Sequence, residues 1–208
     1  ARTLMVLYTN KMHVVTTEAS GIKKVSDLKG KRVSTGEPNS GTEVMAMRLL
    51  EVAGVGNDFS RERLSVAEGV NAIKDRKIDA LIWIGGLPTA AITDLATTPG
   101  MTIRLLDHSE YADAMNKKWG PLYVQGKIPA NTYKGQGAEV ANIDVWNLLV
   151  ADAKMSDEMA YTIVKTLMEK QDELVAVHRE AKNITLEAQA SGSPIPFHPG
   201  ARKYFEER

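Results

Sequence analysis

Residues that could bind a small anion stand where a short strand gives way to a helix. Ser40, Gly41 and Thr42 follow a turn rich in glycine, proline and asparagine and precede an apolar helical pattern. Ser40 is a suitable N-cap, with Glu43 at the spacing of a capping box. Because the first amide groups of a helix have no partner within it, they could hold a carboxylate or phosphate. An ordinary capped helix without a ligand is the alternative interpretation.

A second place for a ligand is the pair Gly85-Gly86, which ends a nearly continuous apolar stretch from Ile78 to Ile84. Ligands of open α/β sheets collect at the carboxyl ends of strands, where glycine lets the backbone approach closely. A tight turn between a strand and a helix is the competing interpretation.

The sequence carries no pattern of enzymatic or metal chemistry. The four histidines are scattered, and no H-E-x-x-H, G-x-S-x-G, Walker A or G-x-G-x-x-G motif is present. The absence of cysteine excludes disulfides, thiolate metal sites and a cysteine nucleophile. We therefore predict no catalytic residue, no metal and no cofactor.

Composition narrows the class of partner. The 208 residues include 26 Lys plus Arg and 26 Asp plus Glu, so no basic excess suggests nucleic acid. No apolar run approaches the roughly 20 residues of a membrane-spanning helix. The first residues resemble neither a signal peptide nor an initiator-methionine start, and the lack of cysteine fits cytosol and periplasm equally.

Strands alternate with helices along the chain, which predicts an α/β domain with a mainly parallel sheet. Predicted strands cover 4–9 with 13–17 (one long strand or a crossing segment), 32–35, 64–67, 78–84, 101–106 and 143–151. Predicted helices cover 42–52, 69–76, 89–96, 108–119 and 156–169, and 120–137 is rich in loops. After about residue 152 the pattern is nearly all helical, so these helices need a partner layer from elsewhere.

Several motifs together resemble the solute-binding proteins of TAXI-type TRAP transporters. They are Val25-Ser-Asp-Leu-Lys-Gly-Lys-Arg-Val33, Asn39-Ser-Gly-Thr42, Asp79-Ala-Leu-Ile82 with Gly85-Gly-Leu-Pro-Thr89, Ile128-Pro-Ala-Asn-Thr-Tyr-Lys-Gly-Gln136, Val145-Trp-Asn-Leu-Leu-Val150 and Ser193-Pro-Ile-Pro-Phe-His-Pro-Gly200. The resemblance spans essentially the whole chain, and the last motif is the most distinctive.

The resemblance implies a periplasmic receptor whose signal peptide has been removed, with a two-lobed α/β fold like that of type II periplasmic binding proteins. Its ligand would be a small organic acid or amino acid, such as glutamate, glutamine or a dicarboxylate, delivered to integral-membrane TRAP subunits. Residues 14–142 would form the complete, ligand-binding second lobe. Residues 1–13 and 143–208 would supply hinge strands and the C-terminal helices of a first lobe whose N-terminal part is missing from this sequence.

The predicted ligand-binding residues are Thr35, Gly36, Glu37, Ser40, Gly41, Thr42, Gly85, Gly86 and Thr89. Glu37 would repel an anionic ligand, so we expect it to face solvent or to meet an ammonium group. Two alternatives stay open: the ligand-sensing domain of a regulator, and an enzyme built on the same two-lobed fold.

Overall fold

The computed structural model describes residues 1–190 and 193–208. Its strands are β1 (Arg2–Thr17), β2 (Arg32–Ser34), β3 (Ser60–Glu62), β4 (Ala80–Gly85), β5 (Ile103–Leu105), β6 (Tyr123–Ile128) and β7 (Val140–Ala151). Its α-helices are α1 (Gly41–Val52), α2 (Val66–Lys74), α3 (Ala90–Thr97), α4 (Ala112–Trp119), α5 (Asp157–Glu169), α6 (Gln171–Val177), α7 (Leu186–Ala190) and α8 (Pro199–Glu206). Within these described ranges no helix has the length and hydropathy needed to cross a membrane.

The strands form one mixed sheet. Its order is β3-β2-β4-β1-β7-β6, with β5 paired to β1. Strand β2 runs parallel to β3 and β4, whereas β1 runs antiparallel to β4 and β5, and β6 antiparallel to β7. The predicted α/β fold class is confirmed. The expectation of a mainly parallel sheet is wrong, because the long strand β1 runs antiparallel to both β4 and β5, and β6 runs antiparallel to β7.

The chain divides into two compact units, in agreement with a two-lobed fold. The discontinuous unit comprises Ala1–Asn10 and Trp146–Arg208, and the continuous unit comprises Lys11–Val145. The chain passes between them once within β1 and once within β7. The assignment of residues 14–142 as a ligand-binding lobe stays a prediction.

The core of the continuous unit consists of two apolar clusters. Met12 and Val14 of β1 belong to the cluster that includes α1 and α4, whereas Val15 belongs to the cluster that includes α2 and α3. Successive side chains of a strand point to opposite faces, so helices cover both faces of this part of the sheet.

The helices of the discontinuous unit pack on the chain's own first strand. Leu4 and Met5 of β1 are buried in a cluster with residues of α5 and α8. Gln189 of α7 also pairs with the backbone of β1 as a residue of a neighbouring strand would. Its Oε1 accepts from the Val6 amide and its Nε2 donates to the Val6 carbonyl, both at 2.8 Å. Residues 1–10 thus supply a layer that the sequence pattern of the tail did not reveal.

The distinctive motif at 193–200 brings α8 against the start of α5. A Cβ atom at Gly200 would lie 2.0 Å from the Asp157 carbonyl oxygen, so only glycine permits this approach. His198 is the N-cap of α8: its Nδ1 accepts from the Gly200 amide, and its Nε2 lies 3.0 Å from the Met155 carbonyl. The motif therefore has a packing role.

Two predicted elements are wrong. Residues 64–67 do not form a strand: β3 ends at Glu62, and Ser65 is the N-cap of α2, in a reciprocal capping box with Glu68. The loop-rich stretch 120–137 contains β6, which pairs with β7 along its full length.

Candidate ligand-binding site

The turn from β2 to α1 is organised by Ser40. Its hydroxyl oxygen accepts from the Glu43 amide at 3.1 Å and donates to the Glu37 carbonyl at 2.7 Å, which confirms the predicted N-cap. The capping box is not reciprocal, because the Glu43 carboxylate binds the amide of Asn39 at 2.7 Å instead of that of Ser40. The Ser40 hydroxyl is thus engaged with the backbone.

The same turn presents amide groups that could receive an anion. Among the described residues, the amides of Gly36, Glu37, Gly41 and Thr42 donate to no protein acceptor. Those of Gly41 and Thr42 are the first two of α1, where the helix dipole also favours negative charge. The backbone here offers four donors without requiring a side-chain hydroxyl.

Gly36 brings the two ends of this turn together. Its φ of +91° is rare for other residues, and a Cβ atom there would lie 2.6 Å from Cγ2 of Thr42. Thr42 is consequently only 8% exposed, whereas the side chain of Glu37 lies on the surface. Glu37 therefore faces solvent, one of the two environments expected for it.

Two arginines that sequence reasoning missed flank the turn. The Glu43 Oε1 atom accepts from Arg61 Nη2 and from Arg63 Nε, both at 2.6 Å. Arg61 Nε also donates to the Thr35 hydroxyl at 3.0 Å, and Thr35 is fully buried. The hydrogen bond from Arg63, followed by that from the Asn39 amide, holds the pKa of Glu43 below its usual value. Two guanidinium groups thus share the Glu43 carboxylate, and the exposed Glu37 carboxylate of the same turn brings the formal charge of these four side chains to zero.

The turn from β4 to α3 contains the other three predicted residues. The Thr89 hydroxyl donates to the Gly86 carbonyl at 3.0 Å and accepts from Trp83 Nε1 at 3.1 Å. A Cβ atom at Gly85 would lie 2.7 Å from the same Trp83 nitrogen. The Trp83 indole packs against Gly85 and leaves no room for a side chain there. The tight-turn interpretation therefore accounts for this glycine without a ligand.

A partly buried hydrogen-bonded chain, here called the Tyr133 link, supports this second turn. The Thr89 amide donates to the Tyr133 oxygen at 3.0 Å, and that oxygen lies 2.9 Å from His13 Nε2. His13 Nδ1 lies 3.0 Å from the Lys11 carbonyl, which can only accept, so Nδ1 carries the proton. Burial lowers the pKa of His13 to about 4, so its ring is neutral near pH 7.

The two turns follow neighbouring parallel strands. Ser34 of β2 is in register with Leu81 of β4, so both turns leave the carboxyl edge of the sheet. Six of the nine predicted residues share the first turn, and three share the second. A cavity of about 530 Å³ lies at the opposite edge, around Arg32 and Asp79, and includes none of the nine. Within the described ranges no group of three or more His, Cys, Asp or Glu side chains could hold a metal ion.

The sequence matches the NMT1-like family over residues 1–208, and the chain belongs to that family.

Solved structures similar to this chain include transporter binding proteins. One is the periplasmic aliphatic sulphonate binding protein SsuA from Escherichia coli, at 17% identity and a TM-score of 0.48, covering 99% of this chain and 56% of that one. Another is the probable amino-acid ABC transporter extracellular-binding protein ytmK from Bacillus subtilis, at 16% identity and a TM-score of 0.45, covering 91% and 63%. An ancestral arginine-binding protein bound to arginine has 16% identity, a TM-score of 0.43 and the same coverage, 91% and 63%. The chain spans 56–63% of the length of these three structures.

Proposed function

We propose that this member of the NMT1-like family is the solute-binding receptor of a TRAP-type (TAXI) secondary transporter. It captures a small organic acid or amino acid in the periplasm and delivers it to integral-membrane subunits. The support is the resemblance of motifs along the whole chain to TAXI receptors, together with membership of the family.

The observation that carries the proposal is the cluster of free amides at the start of α1 beside two arginines. Gly41 and Thr42 provide helix-terminal donors, and Arg63 uses only its Nε atom for Glu43. The Arg63 side chain is 48% exposed, so its outer nitrogens can reach a ligand carboxylate. Charge-assisted bonds of this kind are the stronger class of hydrogen bond and suit the planar carboxylate.

The remaining predicted residues form the rest of the proposed site. Thr35 and Gly36 support the first turn from beneath, while Gly85, Gly86 and Thr89 provide the neighbouring wall. Glu37, exposed on the same turn, would accept from the ammonium group of an amino acid ligand. Glutamate and glutamine offer both the carboxylate and the ammonium group that this site would bind, whereas simple dicarboxylates offer only carboxylates. Capture and release need no bond to be broken, so we propose a receptor and not an enzyme.

Calorimetry tests the proposal. The protein in its natural full length is titrated with L-glutamate, L-glutamine and succinate, and saturable binding of at least one is expected. Arg63→Gln keeps a hydrogen-bonding side chain but removes the charge, and should raise Kd about 10- to 100-fold.

The control is Lys77→Gln, which also removes one exposed cation. Among the described residues Lys77 Nζ pairs only with Asp75, and Lys77 lies near the opposite edge of the sheet. This variant should bind as the unmodified protein does. A full-length protein that binds none of the three compounds would refute the small-acid receptor.

A further inference from the structure

We infer that Tyr133 is a positioning residue for ligand binding, whose hydroxyl holds the turn from Gly85 to Thr89 in its ligand-receiving geometry. This inference rests on the proposed function, because it assigns a purpose to one wall of that site. Tyr133 itself touches no ligand in this scheme and acts through Thr89 and His13.

The direction of every hydrogen bond in the Tyr133 link is fixed. The Thr89 amide can only donate, so the tyrosine oxygen is its acceptor. His13 carries its proton on Nδ1 for the Lys11 carbonyl, so Nε2 has a lone pair and receives the tyrosine hydrogen. The tyrosine hydroxyl thus both donates and accepts, and its loss would leave the half-buried Thr89 amide without its acceptor and the buried Nε2 of His13 without its donor.

The link holds both ends of the turn. Lys11, whose carbonyl ends the link, is paired with Gly85 in the register of β1 and β4. Thr89, where the link begins, closes the turn through its hydroxyl bond to Gly86. One continuous set of contacts therefore fixes the residue at which β4 ends and the residue before α3 begins.

Tyr133 is itself held rigidly. It is 2% exposed, and its ring meets the His13 ring edge-on with centroids 5.8 Å apart. The segment between β6 and β7 is pinned by the buried amide of Gln136, which donates to the carbonyls of Pro129 at 3.0 Å and Ala138 at 2.9 Å. A side chain fixed in this way can hold the turn against displacement.

The start of α3 also lacks the usual support. Thr89 is the N-cap residue, yet its hydroxyl makes no capping bond because it is committed to Gly86 and Trp83. The placement of Thr89 consequently depends on groups outside the helix, and among the residues that the structure describes the Tyr133 hydroxyl is the acceptor of its backbone amide.

The test compares Tyr133→Phe with Tyr123→Phe in the full-length protein. Tyr123 is a matched control because it is 3% exposed and its hydroxyl accepts from Arg48, within α1, at 2.5 Å and not from a residue of either turn. Calorimetry uses L-glutamate, L-glutamine and succinate at a temperature where both variants are fully folded. Tyr133→Phe should raise Kd about five- to thirty-fold, and Tyr123→Phe less than twofold. Hydrogen exchange of the Thr89 amide without ligand should accelerate only in Tyr133→Phe.

The outcomes separate this inference from the proposed function. Normal binding by Tyr133→Phe, equal weakening by both variants, or unchanged exchange at Thr89 each overturns the positioning role and leaves the receptor intact. A failure of the unmodified protein to bind any of the three probes overturns the receptor, and the positioning role with it.

Discussion

At the scale of single residues, the Tyr133 link requires a neutral histidine. His13 is fully buried, and the charged or titratable groups that face it include Lys11, His108 and Tyr133. Burial is the main cause of its lowered pKa, and repulsion from His108 and Lys11 lowers it further. His108, also buried, has a lowered pKa as well.

This shift predicts how stability depends on pH. An unfolded histidine binds its proton near pH 6.5, whereas folded His13 does so near pH 4. Between these values the unfolded state holds more protons, so the free energy of unfolding falls as pH falls. From pH 6.5 to 5.0, His13 should account for a loss of about 1.5 kcal/mol, and His108 adds to it in the same direction. Urea unfolding at both pH values should show the loss in the native sequence.

The His13→Gln variant isolates the contribution. Between pH 6.5 and 5.0 its free energy of unfolding should fall by about 1.5 kcal/mol less than that of the native protein, because glutamine does not titrate. Equal declines in the two proteins would show that His13 is not the group responsible.

Sequence distance decides which site residues could be predicted. The cap made by Ser40 involves a residue three positions away, so local pattern was sufficient. Arg61 and Arg63 bind Glu43 across 18 and 20 residues, and Tyr133 binds Thr89 and His13 across 44 and 120. Such pairs depend on the register of strands, which no local pattern specifies.

At the scale of elements, the long helices with clear caps were predicted most closely. The helices α1 and α5, of 12 and 13 residues, carry clear caps and apolar faces and were predicted to within one residue at each end. The three residues of β3 are too few to show the alternation of a strand. The predicted strand was therefore placed on the alternating residues that follow, 64–67. β6 was missed because Ile128-Pro129 and the glycines of Tyr133-Lys-Gly-Gln-Gly137 gave the whole stretch 120–137 the composition of a loop.

The start of α2 yields a prediction at this scale. The Ser65 hydroxyl accepts from the Glu68 amide, and the Glu68 carboxylate returns a bond to the Ser65 amide at 2.9 Å. Ser65→Ala should lower the free energy of unfolding by about 1 kcal/mol, because a helix amide loses its acceptor. Ser26→Ala, in a 3₁₀ turn, is the control and should stay within about 0.5 kcal/mol. Indistinguishable denaturation curves for the two variants would contradict the capping role.

At the scale of the whole molecule, alternation of strands and helices was sufficient to predict the α/β class. The source of the partner layer for the tail helices was not predictable, because residues 1–10 and 160–204 are far apart in sequence. A strand that begins in one unit and continues into the other has the same local pattern as a strand that stays in one.

The two units differ in how much of the chain each needs to form its core. Both apolar clusters of the continuous unit draw all their members from residues 12–145, and its polar Tyr133 link lies within the same range. The cluster of the discontinuous unit requires Leu4 and Met5 together with residues from 160 onward. The continuous unit therefore has the contacts for independent folding, and the C-terminal segment alone does not.

Residues 11–145, expressed alone, should consequently fold. We expect a cooperative urea transition with coincident curves from far-ultraviolet circular dichroism and tryptophan fluorescence. Residues 146–208 should remain largely unfolded, because without Leu4, Met5 and the Val6 backbone their apolar faces have no partner layer and the Gln189 side-chain oxygen loses its donor. Addition of a peptide of residues 1–10 should restore helicity to that segment in a concentration-dependent way. A non-cooperative transition of residues 11–145, or a stably folded segment 146–208, would show that the division into self-contained cores is wrong.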